Sequence, residues 1–166
     1  MRLGPAEWTV LAVTGERPVH GFAIAALTAS DGELGRVWQI PRPVVYRAIG
    51  RLVDTGLITA DAVESGGGPP RTLYAATTGG RDRLDAWLRT PVPHVRDLRS
   101  DFLLKLAVLH RRGGDPTALI AAQRRELEPI VEALRGEQDG ADDFDRVLAT
   151  WRRVVAEAAL TFLDEF

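Results

Sequence analysis

The sequence contains no cysteine. This absence excludes a disulfide framework, a thiolate metal site and a cysteine nucleophile. The sequence also has no apolar run near the roughly 18 to 20 residues that a membrane-spanning helix needs. Its first residues, MRLGPAEW, lack the apolar stretch of a secretory signal peptide. We therefore expect an intracellular, cytoplasmic protein with no membrane partner.

Net charge is also nearly absent, at −2 for 166 residues. A nucleic-acid-binding domain usually carries a basic excess, so any such function must rest on local patterning here. Of the 21 basic residues, 20 are arginine. Arginine presents a planar fork that suits phosphate and guanine. Codon bias in a GC-rich genome would give the same composition, so this count does not decide the function.

Groups of residues that carry out catalysis or bind metals are not recognisable. The three histidines are isolated and show no metal-ligand spacing. The acidic residues between 139 and 145 do not follow the calcium-loop pattern. The serines lack the setting of a nucleophile elbow. We expect no metal, no cofactor and no enzymatic activity.

The first 90 residues predict three helices, a hairpin and a further helix. The predicted helices run over 4–15, from about 20 to 27, from 41 or 42 to 55, and from Thr77 to about 88. Predicted strands at 57–64 and 71–76 flank a glycine-rich turn. Three helices followed by a two-stranded wing are typical of winged helix-turn-helix domains, whose third helix enters the DNA major groove.

Beyond a proline-containing break near residue 90, the sequence predicts helices alone. These run over 97–112, from Pro116 to about 135, and from about 142 to 163. Pro129 lies inside the second of them and should bend or divide it. The predicted fold is mostly α, with a winged-helix DNA-binding domain over 1–90 and a helical dimerisation region over 97–166.

Apolar residues recur in the last helix at alternating steps of four and three, as in a helix–helix seam. This spacing predicts a homodimer held by Phe144, Leu148, Trp151, Val155 and Phe162. The large faces of Trp8 and Trp151 indicate core or dimer packing, or a pocket for a small apolar or aromatic effector.

The polar face of the third predicted helix carries the candidate DNA contacts. Arg47 and Arg51 lie four residues apart and suit phosphate or guanine. The alternative is an exposed helix face with Asp54 as the intrahelical partner of Arg51 or Arg47. Tyr46 can donate to a phosphate or pack against the second helix. Further candidates near the helix start are Gln39, Arg42 and Pro43.

The glycine-rich turn of the hairpin is the second candidate contact. It has no Lys-Ser/Thr pair and is followed by a strand, which argues against a phosphate-binding P-loop. As a wing tip, Gly67 and Gly68 allow close backbone approach. Pro69 stiffens the arm that presents Arg71. A plain mobile turn is the alternative interpretation.

Several motifs together resemble the PadR family of bacterial transcriptional regulators over about residues 5–90. They are His20-Gly21-Phe22-Ala23-Ile24, Val45-Tyr46-Arg47-Ala48-Ile49, Gly67-Gly68-Pro69-Pro70-Arg71 and Leu73-Tyr74. The resemblance implies a DNA-binding dimer that in some members responds to ligands. The family commonly has a small Ser or Thr and a Gly before the second motif. Here that stretch reads Ile40-Pro41-Arg42-Pro43-Val44, so base contacts are not carried over to it.

The sequence therefore predicts a dimeric transcriptional regulator that acts as a repressor. It should bind a pseudo-palindromic operator in double-stranded DNA and be released by a small-molecule effector. The near-neutral charge leaves a second hypothesis open. In that hypothesis the winged helix binds a partner protein and does not bind DNA.

Overall fold

The computed structural model of this protein describes residues 2–64, 70–136 and 143–166. The chain divides into two compact units. Unit 1 comprises Met1–Leu88 and Leu103–Gly114, and unit 2 comprises Arg89–Phe102 and Asp115–Phe166.

Unit 1 is built from helices around a small sheet. Its elements in chain order are α1 (Pro5–Glu16), β1 (Val19–His20), α2 (Gly21–Leu27), α3 (Arg42–Asp54), β2 (Ile58–Glu64), β3 (Arg71–Ala76), α4 (Thr78–Arg89, whose last residue is assigned to unit 2) and α5 (Leu103–Arg111).

Local sequence chemistry sets several of these bounds. Pro5 is the first residue of α1, where its missing N–H costs nothing. Gly56 follows α3 with a φ of 67°, a conformation that glycine adopts without strain. The Thr77 hydroxyl accepts a hydrogen bond of 3.1 Å from the Gly80 N–H and caps α4.

The sheet is antiparallel with the order β1-β3-β2. The β2–β3 pair is the predicted hairpin, and its register shifts between Ala60 and Ala62. The sequence did not predict β1, because two residues are too few to show strand alternation. In β1, Val19 pairs with Tyr74 and thereby attaches the link between α1 and α2 to the hairpin.

The core of unit 1 forms where α1 and α2 pack on α3. Its largest members are fully buried and come from different helices, among them Leu11, Ile24, Leu52 and Leu84. Burial of such side chains stabilises a domain by about 1.5–3 kcal/mol each. Three helices followed by a hairpin confirm the predicted winged helix.

The segment before α5 differs from the predicted single helix over 97–112. A 3-10 turn at Val95–Asp97 and a π-helical turn at Leu98–Phe102 precede α5. Within unit 1, α5 packs on α1 and buries Leu104 and Val108. Packing therefore places residues 103–114 with the winged helix, whereas the functions assigned to 1–90 and 97–166 stay predictions.

Unit 2 contains α6 (Thr117–Gly136) and α7 (Asp143–Asp164), which pack on each other. The Asp115 carboxylate accepts hydrogen bonds from the hydroxyl and the N–H of Thr117. These bonds lower the pKa of Asp115. Helix α6 runs uninterrupted through Pro129. Of the two predicted effects of Pro129, division of this helix is therefore wrong, whereas bending stays a prediction.

Polar contacts join the parts of unit 2. The buried Gln123 amide donates to the Val92 carbonyl at 2.8 Å and accepts from the Val92 N–H at 2.7 Å. Between the two helices, Glu157 contacts Arg135 and, on its own helix, Arg153. These guanidinium groups lower the pKa of the Glu157 carboxyl, with Arg135 the larger cause.

Candidate nucleic-acid interface

The outer face of α3 is locally basic. Its inner face buries Val45 and Leu52, while Arg42 and Arg47 are exposed. The 13-residue helix holds three arginines and one acid, Asp54. Arg42 and Arg47 thus give the outer face of α3 a local positive charge in a near-neutral chain, and local patterning of this kind is what nucleic-acid binding requires.

Arg51 is held by an element that the sequence did not connect to it. Its Nη1 lies 2.6 Å from Oε1 of Glu7 in α1. The other oxygen of Glu7 accepts a hydrogen bond of 3.0 Å from the Gly4 N–H. Glu7 is buried although charged, so the pair ties α1 to α3. The partner of Arg51 is Glu7 rather than the predicted Asp54.

A cavity of about 450 Å³ opens where the start of α2, the start of α3 and β3 meet. We call it the arginine cleft. Its lining residues are His20, Gly21, Phe22, Arg42, Tyr46, Pro70, Arg71, Thr72 and Tyr74. Two of the predicted DNA-contacting arginines, one from α3 and one from β3, therefore line the same cleft.

Aromatic rings organise these two arginines. The Cζ atom of Arg42 lies 5.1 Å from the centroid of the Phe22 ring and 5.7 Å from that of Tyr46. The Cζ atom of Arg71 lies 5.6 Å from the same Phe22 centroid. All three distances fall within the range of cation–π attraction. Phe22 was not among the site residues that the sequence predicts.

The start of α2 approaches α3 closely because of Gly21. A Cβ atom at Gly21 would lie 2.9 Å from the Tyr46 ring and 3.0 Å from Ile49. Tyr46 therefore packs against α2, as one of the two predicted alternatives has it, yet it stays 44% exposed. Beside it, Nδ1 of His20 accepts a hydrogen bond of 3.0 Å from the Ala23 N–H and caps α2.

Only some of the remaining residues predicted to contact DNA lie within the described ranges. Gln39 and Pro43 are exposed near the start of α3, and Arg71 is exposed at the start of β3. Gly67, Gly68 and Pro69 lie outside the described residues. Contact between any of these residues and DNA stays a prediction.

Helix α7 presents an exposed apolar face in the part of the chain that the structure describes. Phe144 and Trp151 are 73% and 66% exposed. Val147, Val154 and Phe162 are exposed beside them. The predicted dimerisation residues Leu148 and Val155 are half-buried.

The two tryptophans of the predicted effector pocket have different surroundings. In unit 1, Trp8 is buried and stacks on Trp87 with 4.6 Å between ring centroids. The buried Lys105 places its Nζ 5.0 Å from the Trp87 ring. In unit 2, Trp151 lies on the exposed face of α7. The effector pocket stays a prediction.

A bilayer sets the length and apolarity that a membrane-spanning helix requires. None of the helices of the described residues is long and apolar enough to cross a membrane. Within the same ranges, no group of three or more His, Cys, Asp or Glu side chains is placed to hold a metal ion.

Comparison with known proteins gives a family and a curated relative. Residues 10–86 match the model of the Transcriptional regulator PadR-like family. A curated relative, the "Negative transcriptional regulator PadR" of Bacillus subtilis (strain 168), is 24% identical over 99 residues. That match covers 60% of this chain and 53% of the relative. The chain thus matches about half the length of this relative.

Solved structures of Bacillus subtilis PadR also resemble the chain. The complex with operator DNA has a TM-score of 0.49 at 20% identity and covers 96% of each chain. The complex with p-coumaric acid has a TM-score of 0.44 at 17% identity, covering 97% of this chain and 92% of the other. Both scores lie below 0.5.

Proposed function

Because residues 10–86 match the model of the Transcriptional regulator PadR-like family, we propose that the chain is a member of this family and a dimeric repressor that binds a pseudo-palindromic operator. The family consists of transcriptional regulators and not of enzymes, in agreement with the predicted lack of catalysis. One observation carries the proposal. The exposed face of α3 concentrates arginine in a chain whose net charge is only −2.

In this proposal α3 enters the major groove and the β2–β3 wing follows the adjacent backbone. Arg47 is exposed in the second turn of α3. Its fork suits a phosphate or a guanine edge. Arg42 and Arg71 in the arginine cleft bind the phosphate backbone. Arg51 contributes chiefly by holding α3 to Glu7 of α1.

A second copy of this chain covers the apolar face of α7. Large exposed aromatic side chains of this kind mark interaction sites more often than free surface. Pairing of two copies presents two copies of α3, which should read half-sites about 34–36 Å apart. The operator is therefore expected to be pseudo-palindromic.

A small apolar or aromatic effector completes the proposal. A ligand that changes the packing at Trp151 changes the spacing of the two α3 helices and releases DNA. The curated relative is named a negative regulator, which supports repression as the direction of control. A ligand library that leaves operator affinity unchanged would count against the effector.

The decisive experiment measures binding to DNA from upstream of the protein's own gene, with unrelated competitor DNA, across a salt series. We expect tight binding that resists competitor and weakens steeply with salt, by about 0.9 log unit per log unit of salt for each phosphate contacted. Binding indistinguishable from that of unrelated DNA at every salt concentration would favour the alternative, a winged helix that binds a partner protein.

The substitution Arg47→Ala tests whether Arg47 contributes to the affinity for DNA. We expect about tenfold weaker binding, in line with about 1–3 kcal/mol for a good arginine contact to a base. The matched control is Arg125→Ala, which removes the same charge from an exposed position of α6 in unit 2. Equal affinities for the two variants would exclude Arg47 from the interface.

A further inference from the structure

Phe22 is an apolar ring in an unusual place. It is 51% exposed, whereas Ile24 on the same short helix is fully buried. The ring lines the arginine cleft rather than the core. Core packing therefore does not account for a phenyl group at this position.

The Phe22 ring gathers two cations from separate elements. Arg42 starts α3 and Arg71 starts β3. Because both Cζ atoms lie within 6 Å of one ring centroid, they are at most about 11 Å apart. Like charges this close repel each other, and the negative face of an aromatic ring offsets part of that repulsion.

We propose that Phe22 is a positioning residue that holds Arg42 and Arg71 ready to bind one stretch of DNA backbone in the arginine cleft. This inference rests on the proposed function. It adds a role for Phe22, which affects DNA binding only through Arg42 and Arg71. Without the ring, two long side chains would each have to be ordered on binding, at a cost in side-chain entropy.

Phosphate fits the cleft better than a base edge does. An arginine held by a ring keeps its five N–H donors for bidentate contact with phosphate oxygens. Tyr46 lines the same cleft, and its hydroxyl offers a further donor. Phosphate contacts carry no sequence information. Removal of the Phe22 ring should therefore weaken binding to every duplex by the same factor.

The test compares the wild type with Phe22→Leu and Phe22→Tyr. Leucine keeps apolar bulk and removes the π face, whereas tyrosine keeps the ring. Two probes are used, the upstream duplex and an unrelated duplex of equal length at low salt. For Phe22→Leu we expect about tenfold weaker binding to both, the size expected for two exposed cation–π contacts. Phe22→Tyr should stay within about twofold of wild type.

Two further readouts separate positioning from a merely structural role. Phe22→Leu should reduce the slope of log affinity against log salt by about 0.9 for each phosphate that the variant no longer binds. In a background that carries Arg42→Ala and Arg71→Ala, it should have no additional effect on affinity. Unchanged thermal melting of Phe22→Leu shows that the fold is intact.

The outcomes distinguish the two proposals. If the wild type binds neither duplex, the proposed function fails. A second outcome is that the wild type prefers the upstream duplex and that Phe22→Leu has the same affinity and salt slope as the wild type. In that case only the role of Phe22 is overturned. A weakening confined to the upstream duplex, or one that persists in the double-arginine background, also overturns that role.

Discussion

At the scale of single residues, the three arginines of α3 have three different environments. Arg42 lies against the rings of Phe22 and Tyr46, Arg47 is exposed, and Arg51 binds Glu7. Helical spacing predicted the shared helix but not these environments. Glu7 is 44 residues from Arg51 along the chain, and no local pattern connects positions so far apart.

Arg51→Ala should therefore destabilise the fold more than Arg47→Ala. Loss of a hydrogen-bonded charge leaves the buried Glu7 carboxylate with one partner fewer. We expect the free energy of unfolding to fall by about 1–2 kcal/mol for Arg51→Ala. The fall should be below about 0.5 kcal/mol for Arg47→Ala. Urea denaturation measures both.

The matched double-mutant cycle combines Arg51→Ala with Glu7→Gln. A coupling energy near ~1 kcal/mol is expected for a direct interaction. Additive effects within about 0.3 kcal/mol would mean that the ion pair contributes nothing to stability.

At the scale of elements, short-range chemistry was sufficient wherever an element carries its own signals. The strand Arg71–Ala76 has the predicted bounds, and Gly56 ends α3 as predicted. The elements that the sequence did not predict depend on contacts between residues that are distant along the chain. Strand β1 exists because β3 lies beside Val19 and His20. The π-helical turn before α5 shows no signal in the apolar spacing.

Glycine substitutions in two helices should have opposite effects. A Cβ at Gly80 in α4 would lie 2.1 Å from the Leu57 carbonyl oxygen, whereas a Cβ at Gly50 in α3 meets nothing within 4 Å. Gly80→Ala should cost about 2–4 kcal/mol of unfolding free energy, because backbone must move. Gly50→Ala should stabilise by about 0.5–1 kcal/mol.

Thermal and urea denaturation of the two alanine variants give the comparison, with the wild type as reference. A Gly80→Ala protein as stable as wild type would show that the start of α4 does not lie close against the Leu57 carbonyl.

At the scale of the whole molecule, the sequence predicted a winged helix followed by helices, and it identified the apolar pattern of α7. It placed Leu148 and Val155 in the same seam as Trp151, although both are half-buried in this chain. Spacing alone cannot separate the side of α7 that packs on α6, where Ala156 and Leu163 are buried, from its uncovered side.

Trp151→Glu should shift the protein from dimer to monomer. Loss of a central tryptophan from an interface typically costs about 2 kcal/mol or more. We therefore expect a dimer dissociation constant raised by about 30-fold or more, measured by sedimentation equilibrium. Operator affinity should fall with it, because one winged helix reads only one half-site.

The control is Thr150→Glu, which adds the same charge at an exposed neighbouring position of α7. A Trp151→Glu protein that stays dimeric would assign dimerisation to another surface, and a monomeric wild type would overturn the proposed dimer.

The contact of Lys105 with Trp87 has a consequence for chemical modification. Lys105 is the one lysine of the sequence, and it is 2% exposed. Acylation of lysine removes its charge, but the basic side chains proposed to contact DNA, Arg42, Arg47 and Arg71, are all arginines. Lysine acylation therefore has no target among them. An amine-reactive reagent reaches the Lys105 side chain only when the packing around it opens, so the rate of its labelling follows that opening.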